Sequence, residues 1–264
     1  MTLALETEQM LARVEDGIGW MIFNRPERRN ALSGEMQRAI PGILEAFNAD
    51  PDVRVVVMTG AGDRAFVSGA DIAEFGRERG MPQRGADRRS GPPVDGYALL
   101  EKPLIAMIRG YALGAGLLTA LRADIRIAAA DARLGIPAAR LGLGYGFEST
   151  KAIVDAVGKT AAAEILLTGR QFTADEALRL GLVSRVVPVD ELEPTVRELA
   201  ATIAENAPLT VRLVRESIRQ SMLEPEERDL DRVRDMAAAC STSDDFLEGR
   251  KAFAEKRRPH FTGR

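Results

Sequence analysis

Four short apolar runs recur in the first half of the chain, and segments with helical patterns separate them. The runs are rich in β-branched and aromatic residues and lie at Gly19–Phe23, Val53–Met58, Pro103–Ile108 and Ile125–Ala129. Runs of this length without polar alternation are typical of strands buried on both faces, as in parallel sheets. Because parallel strands need crossover connections, strands that alternate with helices predict an α/β fold.

Helix signals fill much of the remaining chain. Ser33 is placed as the N-cap of a helix that follows the first strand. Residues Thr173–Glu176 form a capping-box pattern, and Gly181 is placed to end the helix that begins there. One more short strand is predicted at Val183–Val187. Beyond Asp190 the pattern is charged and helical, which predicts a helical C-terminal region.

Composition excludes several classes of function. The 264-residue chain has one cysteine, one histidine and a net charge of -3. These residues cannot form an internal disulfide or a Cys/His zinc site, so no metal is expected. The charge balance argues against a partner nucleic acid. The N-terminus has no basic signal region, and no apolar run reaches the ~18 residues of a membrane span, so a cytoplasmic protein without membrane association is expected.

The segment from Gly76 to Gly96 interrupts the pattern of strands and helices. It contains five arginines and three prolines and has no apolar periodicity. This composition predicts a surface loop. The alternative is a lid, or a basic strip beside an anionic ligand.

Two segments rich in small residues each follow a strand and open a helix. They lie at Phe66–Ile72 and Gly110–Leu118. Small residues at a helix start leave backbone N–H groups unpaired and let a substrate oxygen come close. Two such N–H groups aimed at one point form an oxyanion hole, which stabilises negative charge on a carbonyl oxygen. The alternative is that the glycines only permit tight turns and close helix packing.

Together with other motifs along nearly the whole chain, these two segments resemble the crotonase superfamily, also called the enoyl-CoA hydratase/isomerase family. The resemblance implies an α/β fold, the crotonase (ClpP-like) spiral of ββα units with a helical C-terminal region. It implies a core domain that binds acyl-CoA over residues 1–195 and a helical oligomerisation region over 196–264. It also implies a homotrimer or a dimer of trimers. The other motifs lie at 24–32, 52–60, 123–127, 167–177, 181–184 and 253–257.

The resemblance also assigns residues to an acyl-CoA substrate. It implies that the N–H groups of Ala70 and Ala115 hold the thioester carbonyl oxygen while an enolate forms on the acyl chain. Coenzyme A is then part of the substrate, and no separate cofactor is expected. The residues expected along coenzyme A are Arg28, Arg29, Ser68, Ala70, Asp71, Ile72 and Lys256.

Two positions depart from the hydratases of this family. Those enzymes use two glutamates to add water, and the matching positions here hold Leu118 and Ala138. Neither side chain can move a proton. We therefore expect Leu118 and Ala138 to line an acyl pocket, with decarboxylase- or isomerase-like chemistry rather than efficient hydration. The alternatives are a conventional enoyl-CoA hydratase and a non-catalytic acyl-CoA-binding subunit.

Tyr145 and Glu148 are the nearby side chains expected to take part in catalysis. Family members that decarboxylate methylmalonyl-CoA carry a tyrosine at a similar place, after a similar Leu–Gly turn. Departure of CO₂ generates the enolate without a general base, and an oxyanion hole stabilises it. Glu148 is expected to act as a relocated acid or base. Alternatively, the Tyr145 ring packs under the turn, and Glu148 is a first-turn acid favoured by the helix dipole.

Overall fold

Two β-sheets form the centre of the computed structural model, which describes residues 2–71 and 96–264. The strands are β1 Met10–Glu15, β2 Ile18–Phe23, β3 Val55–Gly60, β4 Ala65–Val67, β5 Leu104–Ile108, β6 Tyr111–Leu113, β7 Ile125–Ala129, β8 Arg133–Gly135, β9 Phe172–Thr173 and β10 Arg185–Val187. Within the described residues, the larger sheet has the strand order β1–β2–β3–β5–β7–β10. The smaller sheet has the order β4–β6–β8–β9.

Helices follow the strands and make up the C-terminal third, as the sequence predicts. Ser33 caps the first of them by accepting a hydrogen bond from the N–H of Met36. The predicted capping box forms between Thr173 and Glu176, and Gly181 follows the end of that helix with a φ of 81°. The helices are α1 Gly34–Ala49, α2 Gly96–Leu99, α3 Ala115–Ala120, α4 Ala138–Leu141, α5 Phe147–Thr168, α6 Ala174–Arg179, α7 Leu192–Ala204, α8 Pro208–Ser221, α9 Leu230–Thr242 and α10 Asp244–Glu255.

The four apolar runs form the central strands β2, β3, β5 and β7, as predicted, and neighbours among them pair in parallel. Along β3, Val56 and Met58 face one core cluster. Val55 and Val57 face a second core cluster, which includes Val196 of α7. Burial on both faces explains why these runs show no polar alternation.

Within the part of the chain that the structure describes, the backbone passes from the larger sheet to the smaller sheet three times. Strand β3 is followed by β4, β5 by β6 and β7 by β8, and helices α3 and α4 follow the second and third pairs. This repetition agrees with the predicted crotonase spiral of ββα units. The strands β4, β6 and β8 have only three residues each. A run that short cannot display a period of two, so the sequence does not predict the smaller sheet.

Some of the expectations concern parts of the chain that the structure does not test. The segment from Gly76 to Gly96 lies outside the described residues except for Gly96, which begins α2. The division into residues 1–195 and 196–264 also remains a prediction. Within the described ranges, no helix is both long enough and apolar enough to cross a membrane.

Candidate active site

The first candidate donor, the N–H of Ala70, lies on a segment that pairs with the chain around Leu32. The N–H of Leu32 donates to the carbonyl of Gly69 at 2.8 Å, and the Leu32 carbonyl accepts from the N–H of Asp71 at 3.0 Å. In a planar trans peptide, the C=O and N–H point in opposite directions. Because the Gly69 carbonyl faces Leu32, the Ala70 N–H points away from it. No described residue accepts a hydrogen bond from this N–H.

The second candidate donor, the N–H of Ala115, is aimed in the same way. The carbonyl of Gly114 accepts a hydrogen bond from the N–H of Leu118 at 3.1 Å, so the Ala115 N–H of that peptide points out of the helix start. Gly114 has φ 54° and ψ -119°, a conformation that residues with a Cβ rarely adopt. Its own N–H donates to the carbonyl of Gly135 at 2.8 Å. The Ala115 N–H, too, has no acceptor among the described residues.

The first donor segment (residues 66–71, with Ala70) and the second donor segment (residues 110–118, with Ala115) pack directly against each other. A Cβ added to Gly116 would lie 1.9 Å from the carbonyl oxygen of Val67, so only glycine permits this approach. A Cβ added to Gly69 would lie 3.5 Å from the carbonyl oxygen of Leu113. The start of α3 therefore packs against the end of β4. This contact brings the residues that flank Ala70 close to the residues that flank Ala115.

A cavity of about 430 Å³ opens beside the second donor segment. Its lining includes Leu32, Ile40, Tyr97, Ala115 and Leu118. Leu32 also pairs with the first donor segment, so the cavity lies next to both segments. Gln37 and Arg122 also line it. The apolar part of this lining suits an acyl chain.

Tyr145 lies close to the second donor segment. Its hydroxyl oxygen is 3.4 Å from the position that a Cβ on Gly114 would take. Burial raises the pKa of the Tyr145 phenol above its ordinary value of 10.0, so the hydroxyl is protonated at neutral pH. It is therefore a hydrogen-bond or proton donor there. Glu148 is exposed in the first turn of α5, with its carboxylate close to Gly146.

Several residues expected along coenzyme A lie around the first donor segment. The N–H of Ser68 donates to the carbonyl of Arg29 at 3.1 Å, which places the turn that contains Arg28 and Arg29 against this segment. Arg28 and Arg29 are both exposed, and the Arg29 guanidinium lies 5.6 Å from the ring centre of Tyr111. The structure thus groups Arg29, Ser68 and Asp71 with Ala70.

The other expected site residues are not joined to this group. Lys256 is exposed at the end of α10, and none of its described contacts reaches a donor segment. Ala138 is buried at the start of α4 and is not part of the lining of the cavity described above. Ile72 lies outside the described residues.

Asn30 supports the site, and sequence reasoning assigns it no role. It is fully buried with a φ of 55°, a conformation that asparagine tolerates better than most residues. Its side-chain amide donates to the carbonyls of Ala61 and Ala65, and its Oδ1 accepts from the N–H of Arg25. A single asparagine in a polar turn does not reveal partners that lie more than thirty residues away.

The fold and this geometry define a mixed α/β protein that presents two backbone donors beside a largely apolar cavity. Comparison with known proteins identifies the family within this class. The family model described as enoyl-CoA hydratase/isomerase matches residues 13–264. The chain therefore belongs to the enoyl-CoA hydratase/isomerase family, within the crotonase superfamily.

Individual relatives match over nearly their whole length. A crotonyl-CoA hydratase from Syntrophomonas wolfei is 35% identical and aligns over 96% of this chain and 98% of its own. A 2,3-dehydroadipyl-CoA hydratase from Escherichia coli is 36% identical over 92% of this chain and 94% of its own. The crystal structure of an enoyl-CoA hydratase/carnithine racemase from Magnetospirillum magneticum has a TM-score of 0.90 and 33% identity, covering 98% of this chain and 97% of that chain.

The names of these relatives favour the conventional hydratase over the decarboxylase- or isomerase-like chemistry that we expected first. The assignment of Leu118 and Ala138 to the positions of the hydratase glutamates is tested by neither the structure nor these comparisons, and it remains a prediction.

Proposed function

We propose that this chain is an acyl-CoA enzyme that holds the thioester carbonyl oxygen of its substrate with the N–H groups of Ala70 and Ala115. The main support is that both N–H groups lack a described acceptor although their peptide planes are held by hydrogen bonds. Donors fixed in advance stabilise an enolate oxygen as its charge develops. In sites of this type, one donor is worth about 10²–10³ in kcat.

Hydration of an enoyl-CoA is the first candidate reaction, because relatives are named as hydratases of such thioesters. Hydration needs a base that takes a proton from water and an acid that protonates the α-carbon of the enolate. We assign the acid to Tyr145, whose phenol is protonated and lies beside Gly114. We assign the base to Glu148, the carboxylate three residues further along the chain.

A reaction that forms the enolate without a carboxylate base is the second candidate. Leu118 is the observation that favours it, because this apolar side chain lines the cavity beside Ala115. Ala138, at the other position expected for a glutamate, is likewise unable to move a proton. Decarboxylation fits such a site, since the bond between the α-carbon and the carboxylate breaks, CO₂ departs, and the electron pair of that bond forms the enolate. A non-catalytic acyl-CoA-binding subunit would bind the same thioesters without converting them.

The expected contacts with coenzyme A belong to the same proposal. Arg29, Ser68 and Asp71 lie on the two paired segments at Ala70, which supports a path for coenzyme A along these segments. The proposed assembly is a homotrimer or a dimer of trimers. The proposed coenzyme A contacts are Arg28, Arg29, Ser68, Ala70, Asp71, Ile72 and Lys256.

A panel of acyl-CoA thioesters tests the proposed function. The protein is incubated with crotonyl-CoA, a longer enoyl-CoA, methylmalonyl-CoA and acetyl-CoA, and the products are read by mass spectrometry. The first candidate predicts the gain of one water on an enoyl-CoA, and the second predicts loss of CO₂ from the malonyl-type substrate. Calorimetry with the same thioesters reports binding. Absence of both binding and conversion for every thioester would overturn the proposal.

A further inference from the structure

We propose that Arg25 is a positioning residue that holds the Ala70 N–H in its direction through an ion pair with Asp71. This inference rests on the proposed role of Ala70 as a carbonyl donor. It concerns what keeps the hydrogen-bonded pairing at Leu32, which directs this donor, in place.

The ion pair between Arg25 and Asp71 is short and largely shielded from water. The Nη1 of Arg25 lies 2.9 Å from the Oδ2 of Asp71, and the two side chains are only 16% and 14% exposed. Charge-assisted hydrogen bonds of this length are stronger than neutral ones, and shielding keeps solvent from weakening them. Removal of either partner leaves a charge in a place where water cannot fully replace the lost contact.

The same guanidinium nitrogen joins both segments at the first donor. Nη1 of Arg25 also donates to the carbonyl of Ala31 at 3.0 Å. Ala31 directly precedes Leu32, which pairs with the first donor segment. Asp71 directly follows Ala70 in that segment. Arg25 therefore clamps the end of the pairing in which Leu32 holds the Gly69–Ala70 peptide.

Arg25 is itself fixed to a rigid part of the fold. Its N–H donates to the Oδ1 of Asn30 at 2.9 Å, and its carbonyl accepts from the Asn30 N–H at 2.8 Å. Asn30 is fully buried and is anchored to the carbonyl of Ala65 in β4. The clamp thus connects the donor segment to the sheet rather than to a mobile surface turn.

Loss of the clamp would release the peptide that carries the donor. Without Arg25, the carboxylate of Asp71 gains hydration by turning toward solvent, and the backbone between Ala70 and Asp71 turns with it. The hydrogen bonds at Leu32 would then open more often, and the Ala70 N–H would sample several directions. A donor without a fixed direction loses most of its advantage over water in stabilising an oxyanion.

Amide hydrogen exchange tests the clamp directly. The N–H groups of Leu32 and Asp71 report on the two hydrogen bonds that hold the donor segment. In Arg25→Gln, we expect their exchange to become at least about tenfold faster, because a charge-assisted hydrogen bond is lost. Arg25→Lys keeps the charge and is expected to retain part of the protection.

Arg197→Gln serves as the matched control. Arg197 also pairs with carboxylates, those of Glu15 and Glu193, but it lies on α7, against the second core cluster. Its substitution should leave exchange at Leu32 and Asp71 unchanged. The melting temperature of each variant shows whether an exchange change is local or reflects general unfolding.

The outcomes separate this inference from the proposed function. Unchanged exchange at Leu32 and Asp71 in a folded Arg25→Gln protein would overturn the clamp, even if acyl-CoA thioesters bind. Faster exchange in Arg25→Gln, partial rescue in Arg25→Lys and no change in Arg197→Gln would support it. If the wild-type protein shows no affinity for acetyl-CoA by calorimetry while exchange responds as expected, the clamp stands and the proposed function fails.

Discussion

The N–H groups of Ala70 and Ala115 owe their directions to the residues before them. The carbonyls of Gly69 and Gly114 are each held by a backbone hydrogen bond, and each peptide plane then sends its N–H the opposite way. Small side chains permit the close approach of another atom, but they do not set the direction of the N–H groups. For this reason, the sequence can indicate candidate donors here, whereas only the hydrogen-bond pattern shows where they point.

Removal of the Tyr145 hydroxyl tests whether this side chain takes part in the reaction. Tyr145→Phe keeps the half-buried ring and removes the hydroxyl beside Gly114. If the phenol is the proton donor, kcat/KM for the converted acyl-CoA should fall about 100-fold or more. Because burial raises the pKa of this phenol above 10.0, it is protonated in both the free and the working enzyme. The ratio of wild-type to variant activity should therefore stay constant from about pH 6 to 9.

Steady-state kinetics across that pH range checks the assignment. Equal kcat/KM for Tyr145→Phe and the wild type would exclude a catalytic hydroxyl and leave the ring with a packing role. A ratio that changes through neutral pH would show that another titrating group, rather than this phenol, limits the reaction.

At the scale of the element, the contact between α3 and β4 decides whether the two donors share one site. The contact depends on Gly116, since any Cβ there would meet the Val67 carbonyl. Neither element is strongly encoded locally, because α3 has six residues and β4 has three. Tertiary packing therefore holds both of them, as is usual for short elements.

Gly116→Ala should separate the two donor segments. The added methyl group must displace α3 from β4, and overpacking of this kind costs about 1–3 kcal/mol of folding free energy. We expect a lower melting temperature and acyl-CoA affinity weakened by about tenfold or more, since the proposed site needs both donors side by side. Thermal unfolding and calorimetry measure the two effects.

Gly42→Ala is the matched control for this substitution. Gly42 lies inside α1, and a Cβ there would meet nothing within 4 Å. In a helix, alanine is favoured over glycine by up to about 1 kcal/mol, so the control should be neutral or stabilising. Equal stability and affinity for Gly116→Ala and Gly42→Ala would contradict the packing described here.

The sequence predicts some elements of this fold and misses some of its contacts. The strands β2, β3, β5 and β7 are predictable because each is a mainly apolar run, and most of the residues in these runs are buried. The N-cap at Ser33 and the capping box at Thr173 are predictable because they act within one helical turn. The ion pair between Arg25 and Asp71 is not, because the fold alone brings these distant residues together.

Across the whole molecule, residues 261–263 are held by α10 and by Arg54, which precedes β3. The carboxylate of Asp245 accepts hydrogen bonds from the N–H groups of Thr262 and Gly263, and Arg54 donates to the carbonyl of Phe261. Glu248 of α10 accepts two hydrogen bonds from Arg257 and one from the N–H of His260. The C-terminal segment is therefore docked by carboxylates, and its docking depends on their charge.

Acid should loosen this docking. The hydrogen bonds from Arg257, and then that from the His260 N–H, lower the pKa of Glu248 from 4.5 to about 2. A lowered pKa in the folded state contributes stability above pH 4.5 that is lost as the pH falls toward 2. Exchange of the His260 amide should therefore accelerate as the pH falls through this window, relative to the intrinsic exchange rate.

Glu248→Gln should reproduce part of this loss at neutral pH. We expect about two- to fivefold faster exchange at His260, in keeping with an exposed ion pair, and no further change between pH 5 and 3. Glu198→Gln is a suitable control, because no described residue donates a hydrogen bond to the Glu198 carboxylate. If the two variants behave alike, Glu248 does not hold the C-terminal segment.

Isotope-edited vibrational spectroscopy can show whether the two backbone N–H groups polarise a thioester carbonyl. Butyryl-CoA labelled with ¹³C at the carbonyl carbon is bound to the protein, and its C=O stretch is compared with that of the free thioester. Hydrogen bonds from Ala70 and Ala115 should weaken the carbonyl bond and move the stretch to lower wavenumber. A bound thioester whose carbonyl stretch is the same as in buffer would contradict the proposed role of the two N–H groups.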